Sequence, residues 1–569
     1  MKCSTFYMKF LLVGSLVLNF ILCWQLITSG TDRLTARSDT IKSDGETQDP
    51  AEVVQFEHPT VEKTQLVQDE KTENKQESRE DIFFNPIQTG KLLDKTFQIQ
   101  ELVFHHIQQL RNSENDKETV LQNMERLFEP LKNDLLNDQE IMHEQAMKLA
   151  AVEIEQLNKE AKAFIQKTQN PQDCSKAKKL HCKFGDQACG FACMFQEYGI
   201  CMFLGIGSGR VVVWDLNDML SYPGLKEAYR DPSDTCSDLN GTENAVQWKG
   251  ELANGGNQNE DIVKVTMNNP YQNGNTNFVP WKVPDKFLER IQRVHSSPNL
   301  WWIGHVMSNM LRPYPHILVE FENIQKEIKF ASPIVGIHYR DGDKVTTGES
   351  ESHALEDYMR HVIHWYEKYQ LRHPGEKIDK RVYLAASTKQ IFTEAKEKYP
   401  DFQFITAPGY VTMNSQDRKH PAAVKSIMFD TYTLVACDFL VLTLSSNVGR
   451  LVDELRQTIF PDPNYSLVSI DDRYWYYGEA PQFEIAIQSH TPPSPCPKVG
   501  YGGKNFYDFV NKVRKITCEM AFDVGDIIEV YIWMNKGYLY GGLNQRTGVV
   551  GLYPAHKVKP RLASAPYPI

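Results

Sequence analysis

An apolar strand-like run opens onto a knot of mixed charge between Ser332 and Tyr358, where the chain reads SPIVGIHYRDGDKVTTGESESHALEDY. Ile334 to Ile337 is apolar, and His338, Arg340, Asp341, Asp343, Lys344 and Glu349 follow with glycines between them. Such a run predicts a buried strand ending in a loop. Ligands of open α/β sheets bind beyond the carboxyl ends of strands, and charges this mixed are costly to gather unless something charged sits among them. Arg340 can grip a phosphate with a bidentate fork, while His338 and Lys344 add donors. A carboxylate beside Lys344 can take a proton from an attacking hydroxyl, and Glu349 and Glu351 are carboxylates that follow it. Asp341-Gly-Asp343 also imitates a DxD pair that ligates a divalent metal beside a diphosphate. The plain alternative is a solvated loop after a strand.

A second anion site is written further on. Ser445 and Ser446 end a strand-like run just before Val448 begins a helical one, where hydroxyls, backbone N–H groups and the helix dipole converge. Ordinary helix capping explains the same residues without a ligand.

These groups need a scaffold. Arg210 to Trp214, Ile334 to Tyr339, Arg381 to Ala386, Phe402 to Ala407 and Asp438 to Ser445 read as buried strands, with helical stretches such as Leu355 to Gln370 and Val448 to Ile459 among them. The alternation predicts βαβ units and a mainly parallel sheet, an open two-part Rossmann-like α/β architecture. No G-x-G-x-x-G follows a strand, and Gly205 to Gly209 precedes one, so it reads as a turn. Short strands and turns from Asp523 to Val558 follow the pattern of a small SH3-like β-barrel.

Ahead of these lies a different kind of chain. Lys2 and Lys9 precede Phe10 to Ile27, an uncharged apolar run long enough to span a bilayer and lacking Ala-x-Ala cleavage chemistry. The prediction is a signal anchor with everything downstream lumenal. Thr31 to Asp81 has few large apolar residues and reads as a disordered stem. Leu121, Met124, Phe128, Leu131 and Leu135 recur at coiled-coil spacing, with Pro130 placed to kink the helix. The functional reading is a dimerising stem, the other a helix packed on the catalytic body. The domain expectation is therefore a cytoplasmic tail over 1–9, an anchor over 10–27, a stem over 28–90, a coiled-coil region over 91–168, a catalytic region over 172–480 and an SH3-like domain over 481–560.

A formal charge of −11 over 569 residues argues against a nucleic-acid partner. Of 11 cysteines, Cys174, Cys182, Cys189, Cys193, Cys201 and Cys236 cluster early. Disulfides suit a lumenal compartment, zinc is the competitor, and spacing alone leaves fifteen pairings open. Cys496 and Cys518 bracket a stretch that a disulfide would close, and Cys437 sits in an apolar run as a core thiol. Sequons at Asn240 and Asn464 are candidate glycosylation sites on the surface.

The run from Gly336 to Val345 resembles the H-x-R-R-x-D-K donor motif of the α1,6-fucosyltransferases that modify the core of N-glycans. Further pieces of that family's pattern occur in order: Cys174 to Leu180, Cys189 to Cys193, Trp301-Trp302, Arg312-Pro313, Arg381 to Ala385, Asp438 to Val441, Ser445-Ser446, Ser469 to Asp472 and Gly551 to Pro554. The resemblance implies a GT-B-like catalytic region that moves fucose from GDP-fucose to the innermost GlcNAc of N-glycans, α1,6-linked, with inversion and without metal or other cofactor. It implies a Golgi membrane protein of type II topology, dimeric through its coiled coil, with a barrel that helps acceptor recognition. It sets Glu349, Lys344 and Asp343 in the catalytic group, His338, Arg340, Ser445 and Ser446 on the donor, and Asp430 on the nucleotide or on Arg340. It pairs Cys174 with Cys236, Cys182 with Cys201, and Cys189 with Cys193. Stretch 497–517 is an insertion relative to the pattern.

Departures are also visible. Asp341 stands where the motif has a second arginine, Ser387-Thr388 replaces a pair of aspartates at the nucleotide end, and Ala192 and Gln196-Glu197 replace a glycine and a histidine pair. Thr443 and Gly449 replace two cysteines together. A diverged transferase with another acceptor or nucleotide sugar, or a non-catalytic membrane-anchored glycan-binding protein of the same fold, would account for such changes.

Overall fold

The computed structural model describes residues 141, 147–148, 150–183, 190–214, 222, 224–248, 260–266, 278–340, 352–386, 388–406, 422–476, 482–498, 512–513, 515–531, 534 and 539–568. The apolar run at 10–27, the stem, the 121–135 heptads, Cys189, Asp341, Asp343, Lys344, Glu349, Glu351 and Ser387 lie outside them. Among the described residues no helix is long and apolar enough to cross a membrane.

Helix α1 spans 150–169. Its apolar residues Ile154, Leu157, Ala161, Phe164 and Ile165 are buried. They pack on the body of the protein: Arg290 binds Glu153 at 2.7 Å and Glu160 at 2.8 Å, and the Trp301 indole donates to Asn158 at 2.7 Å. For this last part of the predicted coiled-coil region the structure gives a packed helix, because a full apolar stripe has a core to enter.

The first sheet joins β1 (Lys179–Lys183), β2 (Val211–Trp214), β3 (Val246–Gln247) and β4 (Ile262–Thr266), all parallel, in the order β2-β1-β4-β3. Helix α2 (Phe191–Ser208) crosses from β1 to β2 and is buried nearly end to end. The turn expected at Gly205 to Gly209 is corrected here. The helix runs to Ser208, and only Gly209, at φ 66°, ends it in the left-handed region. A Cβ at Gly205 would lie 2.3 Å from Val212, and one at Gly207 would lie 2.1 Å from the Phe278 ring. Those glycines serve close packing, a use that sequence cannot tell from a turn.

Helices α3 (Asp285–Val294), α4 (Pro298–Met310) and α5 (Pro315–Glu327) lead to the second sheet. That sheet joins β5 (Ile334–Tyr339), β6 (Arg381–Ala386), β7 (Gln403–Ile405), β8 (Phe439–Leu442) and β9 (Leu467–Ser469), again all parallel, in the order β7-β6-β5-β8-β9. Its helices are α6 (Leu355–Arg372), α7 (Gln390–Lys398), α8 (Ala422–Val435) and α9 (Asn447–Arg456). Alternate strand residues enter opposite layers. Val335, Ile337, Val382 and Leu384 pack with Tyr358, Val362 and Trp365 of α6, while Ile334, Tyr383 and Leu440 join the larger core. Covering both faces is what makes these strands continuous apolar runs.

A third, antiparallel sheet follows: β10 (Phe483–Ala486), β11 (Ile527–Val530), β12 (Leu539–Asn544), β13 (Val549–Pro554) and β14 (Val558–Pro560), in the order β13-β12-β11-β10-β14. Beyond it, Ala563–Ala565 pairs in parallel with Lys282–Pro284. The Tyr567 ring then meets Trp302 with centroids 5.4 Å apart.

Disulfides join Cys174 to Cys236, Cys182 to Cys201 and Cys496 to Cys518. Cys193 is also disulfide-bonded, and Cys437 is a buried thiol. At the sequons, Asn240 is exposed. Asn464 departs from the expected open surface position: its amide nitrogen donates to Ser296 at 2.7 Å and to Asp462 at 2.8 Å, so a glycan there would displace internal hydrogen bonds.

Candidate functional site

From β5 the chain moves outward through β6 and β7, then returns to place β8 and β9 on the other side of β5. The connections therefore leave β5 and β8 in opposite directions. That opens a crevice at their carboxyl ends, the place where open α/β sheets bind ligands. His338 and Tyr339 end β5 and Arg340 follows, with its N–H donating to the Tyr358 hydroxyl at 3.2 Å. Thr443 to Ser446 lies between the end of β8 and α9. Thr388 follows β6, and Asp471 follows β9. The fold thus gathers His338, Arg340, Ser445 and Ser446 at one sheet edge.

His338 is neutral near pH 7. Burial and then the nearby positive Arg340 push its pKa down to about 3, and its buried Nδ1 has no hydrogen-bond partner among the described residues. It can present one N–H but no formal charge, unlike the cationic group that its motif position suggests. Asp430, on α8, keeps part of its surface open, yet burial raises it to about 6. Its carboxyl accepts from the Tyr383 hydroxyl at 2.5 Å. Tyr383 from β6 therefore shares whatever role Asp430 has.

The two serines differ. Ser445 is held by Asp471, which accepts from its hydroxyl and from its N–H at 3.3 Å. Ser446 stands at the N-cap of α9 but makes no side-chain cap bond, so the capping alternative does not describe it. The first N–H groups of α9 have no intrahelical acceptors by construction, and the helix dipole adds partial positive charge there. Gly449 allows the tight approach: a Cβ would lie 2.4 Å from the Thr443 carbonyl. The two positions where the resemblance expects cysteines thus lie against each other.

Arg450, Asp471 and Arg473 form a supporting layer to which the sequence reading gave no role. Arg450 is fully buried, and its guanidinium donates to the carbonyls of Leu444 at 2.5 Å and Ser445 at 3.2 Å while lying 3.6 Å from the Trp475 ring centroid. Burial lowers its pKa to about 10, still far above neutrality. An arginine next to Tyr-Trp-Tyr, as at Arg473, is the one signal that hinted at a stacked guanidinium.

Behind this layer Glu454 is buried, accepting from Gln196 at 2.6 Å and from the Tyr474 hydroxyl at 2.9 Å. Burial raises it from 4.5 to about 8, against the smaller pull of Arg450. A raised folded-state pKa gives stability that is complete below about pH 4.5 and is lost as pH rises through about 8. Glu454→Gln keeps an acceptor oxygen but cannot ionise. Its melting temperature should fall less than the wild type's between about pH 4.5 and 8, and parallel profiles would refute this.

Among the described residues one His, Cys, Asp or Glu cluster is tight enough for a metal, Cys174, Cys236 and Asp238, and there the two sulfurs are bonded to each other. The zinc alternative therefore fails for Cys174, Cys236, Cys182 and Cys201. Nothing else in this set offers a metal centre.

Residues 26–476 match the family model described as "Alpha-(1,6)-fucosyltransferase N- and catalytic domains". The chain is 28% identical over 405 residues to an alpha-(1,6)-fucosyltransferase of Drosophila melanogaster, covering 70% of this chain and 60% of that one. It is 27% identical over 399 residues to one of Caenorhabditis elegans, covering 69% and 66%. The match thus spans less than two thirds of either relative. Likeness to solved structures is slight: the Bradyrhizobium fucosyltransferase NodZ at TM-score 0.29, 11% identity and 48% of this chain against 92% of that one. A GDP complex of Arabidopsis thaliana FUT1 gives 0.32, 10%, 52% and 72%, and neither score bears on function. The family model alone covers most of the sequence, and so this chain belongs to the alpha-(1,6)-fucosyltransferase family.

Proposed function

We propose that the protein transfers fucose from GDP-fucose to the 6-hydroxyl of the innermost GlcNAc of N-glycans. What supports this most is the switch in strand order between β5 and β8, with Arg340 following one strand and Ser446 and the start of α9 following the other, in a chain of this family. A guanidinium and a helix N-terminus at the ends of neighbouring strands suit a diphosphate leaving group. In the reaction the acceptor 6-oxygen attacks the anomeric carbon as Glu349 takes its proton. The bond from that carbon to the diphosphate breaks with its electron pair going to GDP, and inversion turns a β-linked donor into an α-linked product. Lys344 and Asp343 complete the catalytic group, His338 offers one neutral N–H, and Asp430 with Tyr383 lines the nucleotide side.

In this reading the two parallel sheets are the halves of a GT-B-like enzyme and the antiparallel sheet is its SH3-like domain. The protein is a dimeric, type II Golgi membrane protein anchored through 10–27, and its negative charge has no nucleic-acid partner to serve. Transfer needs no metal, because protein cations and N–H groups face the diphosphate. The Asp341 and Ser387-Thr388 departures favour one second reading, a transferase of altered donor or acceptor choice.

The test is a transfer assay with the purified protein, GDP-fucose and an N-glycan bearing a terminal GlcNAc, with and without EDTA. Fucose on the reducing-end GlcNAc in both tubes, mapped by mass spectrometry, is expected. Product only without EDTA would return Asp341 and Asp343 to a metal role. GDP binding without any product would favour altered specificity, and absence of both would favour the non-catalytic alternative.

A further inference from the structure

The six residues that follow Ile470 reach α2, the loop after β8, α9 and the third sheet. Asp471 holds the Ser445 amide and hydroxyl and also accepts from Ser469, whose own oxygen takes the Leu444 N–H at 3.1 Å. Arg473 enters the third sheet, where it donates to Glu484 at 2.6 Å and to the Tyr553 hydroxyl at 3.0 Å and lies 4.3 Å from the Tyr540 ring centroid. Tyr553 in turn donates to Glu484 at 2.7 Å. Tyr474 binds Glu454 of α9, Trp475 covers Arg450, and Tyr476 donates to the Gln196 carbonyl of α2 at 2.7 Å.

We propose that Asp471–Tyr476 is a clasp through which the C-terminal sheet sets the Thr443–Ser446 loop, with Arg473 as its positioning residue. The loop is gripped twice from this one segment. Asp471 draws in the N–H and hydroxyl of Ser445, while Arg450, pinned under Trp475, draws in the carbonyls of Leu444 and Ser445. Arg473 sits between the two grips and is fixed to a separate sheet by a buried ion pair with Glu484. Moving Arg473 therefore moves both grips, and Glu484 and Tyr553 are the third-sheet residues that hold it. The importance of the loop for donor binding rests on the function proposed above; the mechanical link does not.

The test compares Arg473→Met, Glu484→Gln and the double variant in the full chain. Each single change strands a buried polar partner and should lower the melting temperature, and the double change should recover most of the loss. Hydrogen exchange at residues 443–447, without nucleotide, should remain roughly tenfold faster than wild type in the double variant, with α9 beyond Gly449 unchanged. If exchange there returns to wild type along with the melting temperature, the pair is only structural and the clasp is overturned. Should the double variant not fold, Tyr553→Phe, which removes one hydroxyl, should raise exchange at the same residues by about threefold, and no rise would overturn the proposal equally. Calorimetry with GDP is read beside it. Wild type that fails to bind GDP overturns the donor reading and leaves the exchange result to decide the clasp; wild type that binds should bind roughly tenfold more tightly than the double variant.

Discussion

Replacing Arg340 with alanine is expected to lower kcat/KM for GDP-fucose by roughly a hundred- to a thousandfold, the usual cost of removing one donor aimed at developing charge. Arg340 leaves the carboxyl end of β5 beside a neutral His338, which cannot replace its charge. Arg450 cannot substitute, since its guanidinium is turned inward onto two loop carbonyls. Asp341, next in sequence, brings an anion where the family motif has a cation, which deepens the dependence on Arg340. A lysine at 340 should recover part of the charge but not the bidentate geometry. The measurement is initial rate against GDP-fucose concentration, with a melting curve as the folding control. Activity within about threefold of wild type would remove Arg340 from the donor site, because a tenfold effect is already only ~1.4 kcal/mol.

The second large effect is at the glutamate. Glu349→Gln keeps the size and one oxygen but cannot accept the acceptor's proton, so turnover should drop by roughly a hundredfold or more while GDP affinity stays nearly constant. That split distinguishes a base from a binding group. If Glu349→Gln turns over normally and Glu351→Gln does not, the base is Glu351. If both variants remain active, neither carboxylate is the base, and the leaving phosphate or another group must take the proton.

The strands that form the crevice were legible in the sequence for a definite reason. β5, β6 and β8 are covered on both faces, so their runs are continuously apolar, and their charged residues are pushed to the ends where the site lies. β1 and β4 carry His181 and Lys264 inside the run and gave no such signal, and Lys179, which begins β1, is buried with its ammonium on Asp238 at 2.9 Å. The supporting layer was illegible because its meaning is in partners far along the chain. Glu454 is 258 residues from Gln196, and Arg473 is 80 from Tyr553. A lone arginine or glutamate in a sequence does not say which distant group it will meet. Ser445 and Ser446 were equivalent as letters, and only the fold assigns one to Asp471 and leaves the other at the helix start.

The return of Ala563–Ala565 to Lys282–Pro284, with Tyr567 against Trp302, sets an order of events during synthesis. The strand at 282–284 and the aromatic layer around Trp302 emerge from the ribosome long before their last partners exist. Until residue 567 has been made, the strand at 282–284 lacks its partner and Trp302 lacks the Tyr567 ring, although Phe164 and Phe287 already cover part of it. Nascent chains stalled within the third sheet should therefore be stronger clients for chaperones that bind exposed aromatic surface than chains that include residue 567.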